Sequence, residues 1–284
     1  KTHPLSYSSM MLLRGCTQKY HHYKVAETPK DVDASDNMDA FNIGKCFHWV
    51  LEESMHGQNS LDISDLLRQA VVTFEVQPYE AMIHAMLLRY DRLHKKSGLD
   101  CIKCELELVT DNFIGYVDAI MQEPDTKRWW IVDLKTAKFA TDLTFTQLTK
   151  DAQLNLYSSF AKEIATHLNL DLSLFAGARY RVTTKSELKK KASESYKDHV
   201  VRTAKNVKSY DIAIPCNMKN IKEAVAEHKK MYKLSMDLRK GKVKPQKNFS
   251  YCGNYFKPCE YFSQCHGKTY TEMSEGVEMI TENC

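Results

Sequence analysis

Two aspartates and a lysine in one predicted β-hairpin have the types and spacing to do chemistry. Asp118 ends the segment GYVD, and Asp133 and Lys135 lie in IVDLKT. A Pro-Asp pair at positions 124 and 125 predicts a turn between two runs of β-branched and aromatic residues. If the turn is centred between positions 125 and 126, position 118 faces position 133 across the two strands. The sequence therefore predicts two carboxylates on neighbouring strands.

Such a pair of acids indicates a cation between them. Like charges opposite one another destabilise a sheet, and strand alternation places Lys135 on the same face as Asp133. Mg²⁺ and Mn²⁺ prefer carboxylate oxygens, and such a metal activates water and stabilises a leaving oxygen in phosphodiester cleavage. Lys135 would orient the attacking water or stabilise charge on the phosphate. An ordinary charged surface hairpin is the alternative from these residues alone.

Length, charge and composition limit the classes of protein to which the chain can belong. The chain has 284 residues, a formal net charge of +4 and nine cysteines. Net charge alone therefore does not argue for nucleic-acid binding, and the basic runs near residues 185–191 and 228–247 are typical of solvated helix faces. No apolar run reaches the length of a membrane span, and no secretory segment is evident, so we expect an intracellular protein, in a host cytoplasm if it is viral. Because the first residue is Lys1, a removed leader remains possible.

Hydrophobic periodicity predicts an α/β domain. Helices are predicted over residues 9–23 (with Ser8 or Ser9 as cap and Cys16 inside), 41–53, 79–96 and 146–168, with further helices ending near 240. Strands are predicted over 102–110, 113–121, 128–134 and 176–182. The order helix, three strands, helix, strand favours one central sheet with helices beside it.

The ordered set GKCFH, GYVD, IVDLKT and Q-x-x-x-Y resembles the PD-(D/E)XK nuclease superfamily, specifically its RecB-like branch. The resemblance implies a restriction-endonuclease-like core with a central mixed β-sheet flanked by helices. It also implies a metal-binding role for Asp118 and makes Asp133 and Lys135 the D/E-x-K pair. Gln153 and Tyr157 match the motif of the helix that follows the active strand and helps to position substrate.

His48 is interpreted differently with and without the resemblance. A lone histidine between Phe47 and Trp49 is more often a partly buried structural residue than a metal ligand. The resemblance to the branch's Gly-x-x-x-His helix implies that His48 is a metal ligand, which suits Mn²⁺ as well as Mg²⁺. Two further acids, Glu105 and Glu107, share a predicted strand face near the site and are interpreted as charged edge-strand residues.

Three C-terminal cysteines have the spacing C-x6-C-x5-C: Cys252, Cys259 and Cys265. The resemblance to RecB-like iron–sulfur nucleases, including CRISPR-associated and AddB-type enzymes, implies a fourth ligand far upstream, and Cys16 matches that position. Four thiolates suit a [4Fe-4S] cluster that joins the N-terminal helix to the C-terminal tail. Those relatives usually show C-x2-C-x5-C, and four thiolates also bind zinc, so zinc remains the alternative.

Of the other five cysteines, two are predicted to be structural thiols. Cys101 and Cys104 form a C-x-x-C at the start of a strand, where residues three apart point to opposite faces. We therefore expect no shared metal or redox role for this pair. The remaining three, at positions 46, 216 and 284, have no evident partners.

The chain is therefore interpreted as a single nuclease domain over residues 1–284. Its catalytic core spans about 40–185, its iron–sulfur region 6–24 and 248–268, and its basic, helical region 186–247. We expect a metal-dependent DNA exonuclease, favouring single strands or free ends with 5′ to 3′ polarity and some endonuclease activity. The candidate phosphate contacts are Arg179, Arg181 and Lys185. The alternative is a non-catalytic DNA-binding or complex-assembly module that is cross-linked by a zinc ion or an iron–sulfur cluster.

The expected partners follow from the same interpretation. The sequence has no phosphate-binding P-loop, so any helicase motor would be a separate protein. A recombination, repair or CRISPR partner is compatible with the resemblance, whereas a membrane partner is not expected.

Overall fold

The computed structural model describes residues 3–31, 38–55, 62–138, 151–253 and 258–267. The chain forms two units. Unit 1 comprises residues 1–36, 109–114 and 227–284, and unit 2 comprises residues 37–108 and 115–226. The interpretation as one nuclease domain stays a prediction.

A five-stranded mixed sheet forms the centre of the fold, with the spatial order β1-β2-β3-β4-β5. Strands β2 and β3 are antiparallel, β3 and β4 parallel, and β4 and β5 antiparallel. The strand bounds are Asp100–Val109 (β1), Ile114–Gln122 (β2), Trp129–Ala137 (β3), Phe175–Thr184 (β4) and Ser209–Pro215 (β5). This architecture confirms the predicted α/β class with a mixed central sheet flanked by helices.

The helices follow the predicted order with several differences in extent. Their bounds are Tyr7–Gly15 (α1), Thr17–Lys24 (α2), Met38–Met55 (α3), Ile63–Thr73 (α4), Glu80–Ser97 (α5), Ala152–Ser158 (α6), Ala161–Leu168 (α7), Tyr196–Asn206 (α8), Met218–Arg239 (α9) and Phe262–His266 (α10). None of them, within the ranges that the structure describes, is long and apolar enough to cross a membrane.

The register between β2 and β3 is the one that the turn position predicts. Ala119 pairs with Val132, and Gln122 pairs with Trp129. The turn between them is closed by a hydrogen bond from the Glu123 N–H to the Arg128 carbonyl at 2.8 Å. The same register, extended by one position, sets residue 118 opposite residue 133.

Two predicted helices are divided in the structure. The prediction of one helix over 9–23 is wrong, because the backbone is extended at Cys16, which ends α1 and is the N-cap of α2. The N-cap of α1 is Ser6, and not Ser8 or Ser9 as predicted. The expected helix over 146–168 breaks at residues 159 and 160, where two hydrogen bonds of the i to i−3 type replace the α-helical ladder. Residues 146–150 lie outside the described part.

Two elements of unit 2 are absent from the prediction. The segment 186–247 was predicted to be helical, but it also contains β5, which pairs along β4. The amphipathic helix α4 buries Leu66, Leu67, Ala70 and Val71 in a core that it shares with α3, α5 and β3. In β4, Gly177 has φ +120°, and a Cβ there would lie 2.5 Å from the Ile214 carbonyl oxygen, so glycine permits the bulge opposite Trp129 and Trp130.

In unit 1, the N-terminal helices pack on the end of α9 and on the C-terminal tail. Leu5, Met10, Leu13 and Tyr20 form a buried cluster with Leu238. Polar contacts reinforce this packing, since the Lys19 ammonium lies 2.7 Å from the Glu260 carboxylate. The Leu5 N–H also donates to the Asn112 carbonyl at 3.0 Å.

Candidate active site

The hairpin carries two buried carboxylates into the centre of the sheet. Asp133 is 3% exposed, because β3 is buried along its length from Trp129 to Leu134. Asp118 is largely covered, and its Oδ2 accepts a hydrogen bond from the Leu134 N–H at 2.6 Å. A backbone donor from β3 therefore fixes the side chain that projects from β2.

Both carboxyl groups resist ionisation in this setting. Burial raises the pKa of Asp118 to about 6. Burial, together with the charge of Asp118, raises the pKa of Asp133 to about 7. Two buried acids with raised pKa values form a site where a bound cation is favourable, because it offsets both the desolvation and the mutual repulsion.

Lys135 supplies a nearby positive charge. Its Nζ lies 2.8 Å from Asp133 Oδ2, and half of the side chain remains exposed. Burial tends to lower the pKa of Lys135, but the charges of Asp133 and Asp118 outweigh this effect and the pKa is raised. The ammonium group is therefore charged at neutral pH and reaches from the buried acids toward solvent.

Helix α6 adds two polar groups to the same cluster. Its first turn is fixed by Asp151, whose Oδ1 accepts hydrogen bonds from the N–H groups of Gln153 and Leu154 at 2.7 and 3.2 Å. Gln153 Oε1 then accepts from Lys135 Nζ at 3.3 Å, and Gln153 Nε2 donates to the Tyr157 hydroxyl at 3.1 Å. A continuous polar chain thus runs from Tyr157 through Gln153 and Lys135 to Asp133.

Helix α3 brings His48 close to Asp118. His48 Nδ1 lies 3.8 Å from Asp118 Oδ1. Burial lowers the pKa of His48 to about 4, so the imidazole is neutral at physiological pH and retains a lone pair for a metal. Gly44, one turn earlier, lies where α3 passes β3, and a Cβ there would be in ordinary van der Waals contact with Thr136 Oγ1 at 3.4 Å.

Two more acids belong to this neighbourhood. Burial raises the pKa of Glu105 to about 7, and the charges of Asp118 and Glu52 add to the effect. The Glu52 charge also acts on His48, which lies one helical turn earlier in α3. Sequence reasoning set Glu105 aside and missed Glu52, although a spacing of four from His48 on a helix was an available signal.

The donor set fits a hard divalent cation. Carboxylate oxygens and a neutral imidazole are ligands that Mg²⁺ and Mn²⁺ accept. As the side chains stand in the described ranges, no three His, Cys, Asp or Glu residues converge tightly enough to hold a metal ion. Binding of a cation by His48, Asp118 and Asp133 would therefore require these side chains to move closer together.

The predicted phosphate contact at Arg181 is wrong. Residues 179 and 181 pair with positions 132 and 134 of β3, so they lie on the sheet face opposite to Asp133. Arg181 is 1% exposed and donates to Asp211, the Tyr90 hydroxyl and Ser97. This buried arginine is committed to contacts within the protein.

The other two predicted phosphate contacts also have internal partners. Arg179 Nε lies 3.0 Å from Asp211 Oδ1, and its guanidinium stacks on Trp130 at 4.7 Å from the ring centroid. Lys185 is half-buried and donates to the Ala40 carbonyl at 2.9 Å. Both arrangements favour structural roles, and contact with DNA stays a prediction for these residues.

The four predicted cluster cysteines line one pocket in unit 1. Cys16, Cys252, Cys259 and Cys265 share this pocket with Lys19 and Lys247. Hydrogen bonds join the two chain segments here, since the Gln18 N–H donates to the Gln246 carbonyl at 3.0 Å and Asn248 Nδ2 donates to the Gly15 carbonyl at 2.8 Å. Four thiols are ligand types that suit a thiolate-bound metal centre, and two nearby ammonium groups would offset thiolate charge, but in the described ranges the thiols would have to move closer together to hold a metal.

We expect the affinity for Mn²⁺ to rise steeply with pH. Binding requires both carboxylates to be ionised, and pKa values of about 6 and about 7 leave them protonated near pH 5. These values predict an affinity at about pH 5 that is about 10³-fold weaker than at about pH 8. Calorimetric titration of metal-free protein measures the affinity, and Asp118→Asn should flatten the dependence.

The same pKa values predict that the stability of metal-free protein changes with pH in the opposite direction. The folded protein retains protons that the unfolded chain has released, so metal-free protein should lose stability as pH rises from about 4 to about 7. Thermal unfolding with and without Mn²⁺ separates the two trends. An affinity that is constant over this pH range would contradict the assignment of these two acids as the cation site.

Comparison with known proteins supports the interpretation of this geometry. A search of curated proteins found no significant match. A family model described as the PD-(D/E)XK nuclease superfamily matches residues 4–266, which include both the hairpin site and the cysteine pocket. Members of that superfamily are generally nucleases that use divalent metals such as Mg²⁺ or Mn²⁺. On the strength of a match over nearly its whole length, the chain belongs to the PD-(D/E)XK nuclease superfamily.

Proposed function

We propose that the protein is a metal-dependent deoxyribonuclease of the RecB-like branch that degrades single-stranded DNA from a free end. The observation that carries the proposal is the polar chain from Tyr157 to Asp133, which lies beside Asp118 and His48 in unit 2. The ordered motifs supplied these residues individually, and the hydrogen bonds and ion pairs between them support the proposal.

Each residue has a distinct part in this proposal. Asp118, Asp133 and His48 would hold a divalent cation, which supplies an activated water and stabilises the leaving oxygen. Lys135 Nζ, charged and half-exposed, would bind a phosphate oxygen or orient the water. Gln153 accepts from that ammonium and limits its positions, while Tyr157 anchors the amide of Gln153.

A row of residues on α3 offers a path for single-stranded substrate. Phe41, Lys45, His48 and Glu52 recur at spacings of four, three and four, which places them along one side of the helix. Phe41 is 59% exposed, and Lys45 Nζ lies 4.3 Å from the centre of its ring. An exposed ring beside an exposed ammonium suits stacking on an unpaired base together with phosphate binding.

We further propose that Cys16, Cys252, Cys259 and Cys265 bind a [4Fe-4S] cluster with a structural role. Two observations support this: the thiols share one pocket, and Lys19 and Lys247 lie beside them, where they would offset thiolate charge. Zinc is the competing metal for the same four ligands. A separate helicase or recombination protein would supply any unwinding that the substrate requires.

A cleavage assay with end-labelled linear and covalently circular single-stranded DNA, each with Mn²⁺, tests the proposal. We expect linear DNA to be degraded progressively from the 5′ end, with much slower loss of circles. Phe41→Ala should weaken single-strand binding by about tenfold, given about 1–3 kcal/mol per stacked base, whereas the exposed Phe249→Ala should not. Binding without cleavage in every metal would instead indicate a non-catalytic DNA-binding module.

A further inference from the structure

The cysteines of the C-x-x-C in β1 lie against each other. Cys101 Sγ and Cys104 Sγ are 3.1 Å apart. The sequence prediction placed them on opposite faces of a regular strand, and that expectation is wrong. In β1, the less exposed positions are 101 and 103 in the first part of the strand and 104, 106 and 108 in the second part. The alternation between inward and outward side chains therefore shifts by one residue within the strand. Glu105, with φ +46°, lies at this slip.

The two thiols have different environments. Cys104 is 2% exposed, whereas Cys101 is only partly buried. The hydrogen bond from Cys104 lowers the pKa of Cys101, and the Lys103 N–H and the Arg181 charge act in the same direction, against burial. The hydrogen bond to Cys101 and burial both raise the pKa of Cys104. Cys101 is therefore suited to be the attacking thiolate and Cys104 the resolving thiol.

The dithiol lies on the strand next to the one that carries Asp118. Strand β1 is hydrogen-bonded to β2, which carries Asp118. Glu105 directly follows Cys104, and the Asp118 charge contributes to the raised pKa of Glu105. The Glu52 charge acts on Cys104 itself. A change in the geometry of the dithiol would therefore act on the backbone that carries Glu105, whose carboxylate interacts with the Asp118 charge.

We propose that Cys101 and Cys104 form a redox site that exchanges with low-molecular-weight disulfides and regulates the adjacent catalytic centre. The Cys101 thiolate attacks a disulfide RSSR, forms a mixed disulfide and releases one thiolate RS⁻. Cys104 then loses its proton, attacks the Cys101 sulfur and expels the second RS⁻. The two products take up two protons, so one dithiol and one RSSR yield one protein disulfide and two RSH.

The bond would tighten the irregular part of β1. A disulfide has a sulfur–sulfur distance of about 2.0 Å, so the two sulfurs must approach by about 1 Å. That movement pulls on the backbone that carries Glu105. We expect oxidation to lower DNA cleavage by at least about fivefold, a typical coupling between two sites. This regulatory consequence depends on the proposed nuclease function, whereas disulfide formation does not.

Peptide mapping tests the redox chemistry without any activity measurement. Whole protein is incubated anaerobically with oxidised or reduced glutathione, alkylated and digested with trypsin, which cleaves after Lys103. We expect oxidised glutathione to link peptide 97–103 to peptide 104–127, and dithiothreitol to release them. Cys101→Ser should abolish the link, and Cys216→Ser, at an exposed cysteine, should leave it unchanged.

Cleavage assays on the same samples test the regulatory role. Inhibition by oxidised glutathione that dithiothreitol reverses in the parent and Cys216→Ser, but that is missing in Cys101→Ser, supports the proposal. Absence of the linked peptides at every glutathione ratio overturns it. Linked peptides with unchanged cleavage overturn the regulatory role. A fully reduced protein that does not cleave DNA would instead refute the nuclease function and leave the mapping result valid.

Discussion

Asp133→Asn is expected to reduce DNA cleavage by at least about 10³-fold while the protein stays folded. The substitution keeps the size of the side chain and removes the anionic oxygen that the proposed cation requires. Loss of a bound cation removes several kcal/mol of transition-state stabilisation, and each 1.36 kcal/mol corresponds to about tenfold in rate. Steady-state cleavage of linear single-stranded DNA with saturating Mn²⁺ measures the effect.

The same substitution should stabilise the metal-free protein above about pH 7. Burial and the Asp118 charge raise the pKa of Asp133 to about 7, so its ionised form is costly in the folded state. Replacement by a neutral amide removes that cost, and the thermal midpoint at about pH 8 should rise. A variant that is both more stable and inactive cannot have lost activity by unfolding, and such opposition is typical of catalytic groups.

Lys135→Ala extends the test to the second charge of the cluster. We expect a loss of about 10² to 10³-fold, the usual result of removing one group that stabilises transition-state charge. Binding of DNA should change far less, because the ammonium acts at the reacting phosphate. The matched controls are Asp125→Asn and Lys127→Ala, which alter an exposed acid and an exposed lysine of the same hairpin.

Results for the pair distinguish the candidate functions. If both Asp133→Asn and Lys135→Ala retain more than about a tenth of the parent cleavage, the hairpin is not the catalytic centre. If the parent protein binds DNA but never cleaves it, the fold serves a binding role. The control variants measure how much the loss of any one charge in this hairpin changes the cleavage rate. We expect that change to be about twofold or less.

The sequence predicted the hairpin well because its geometry is local. A two-residue turn centre and a period of two fix the register, so Asp118 and Asp133 could be placed opposite each other by counting. The ordered motifs predicted which helix residues join them. Such a prediction needs no knowledge of how distant segments pack.

The failures all involve long-range pairing or a local irregularity. Arg181 was assigned to DNA contact wrongly, because the sheet face on which its side chain lies depends on the register between β3 and β4. These two strands are separated by a long stretch of sequence, so counting residues does not give their register. Cys101 and Cys104 were separated by assuming a regular strand, and a single slip at Glu105 reverses that conclusion. Glu52 lies four residues after His48 on one helix, but only the packing of that helix against the sheet, a long-range contact, shows that its charge acts on the site.

The second large effect is expected from Cys259→Ser, which should deplete the bound metal and destabilise the protein. The proposed cluster joins Cys16, at the break between α1 and α2, to a tail that follows more than two hundred residues later. Cross-links that close long loops contribute about 5 kcal/mol, and for a chain of this size each kcal/mol shifts the thermal midpoint by about 2–4 °C. We therefore expect a fall of about 10–20 °C, measured by circular dichroism on anaerobically purified protein.

Metal analysis of the same preparations identifies the metal and controls the stability result. Iron and acid-labile sulfide in the parent, lost in Cys259→Ser but retained in Cys216→Ser, would support the cluster, because Cys216 is exposed and does not belong to the residues that line the pocket. A colourless, zinc-loaded parent would replace iron–sulfur with zinc and keep the structural role. Equal metal content and equal thermal midpoints in parent and Cys259→Ser would show that the pocket binds no structural metal. In that case the hydrogen bonds of Gln246 and Asn248 and the Lys19–Glu260 ion pair would hold the tail without a metal.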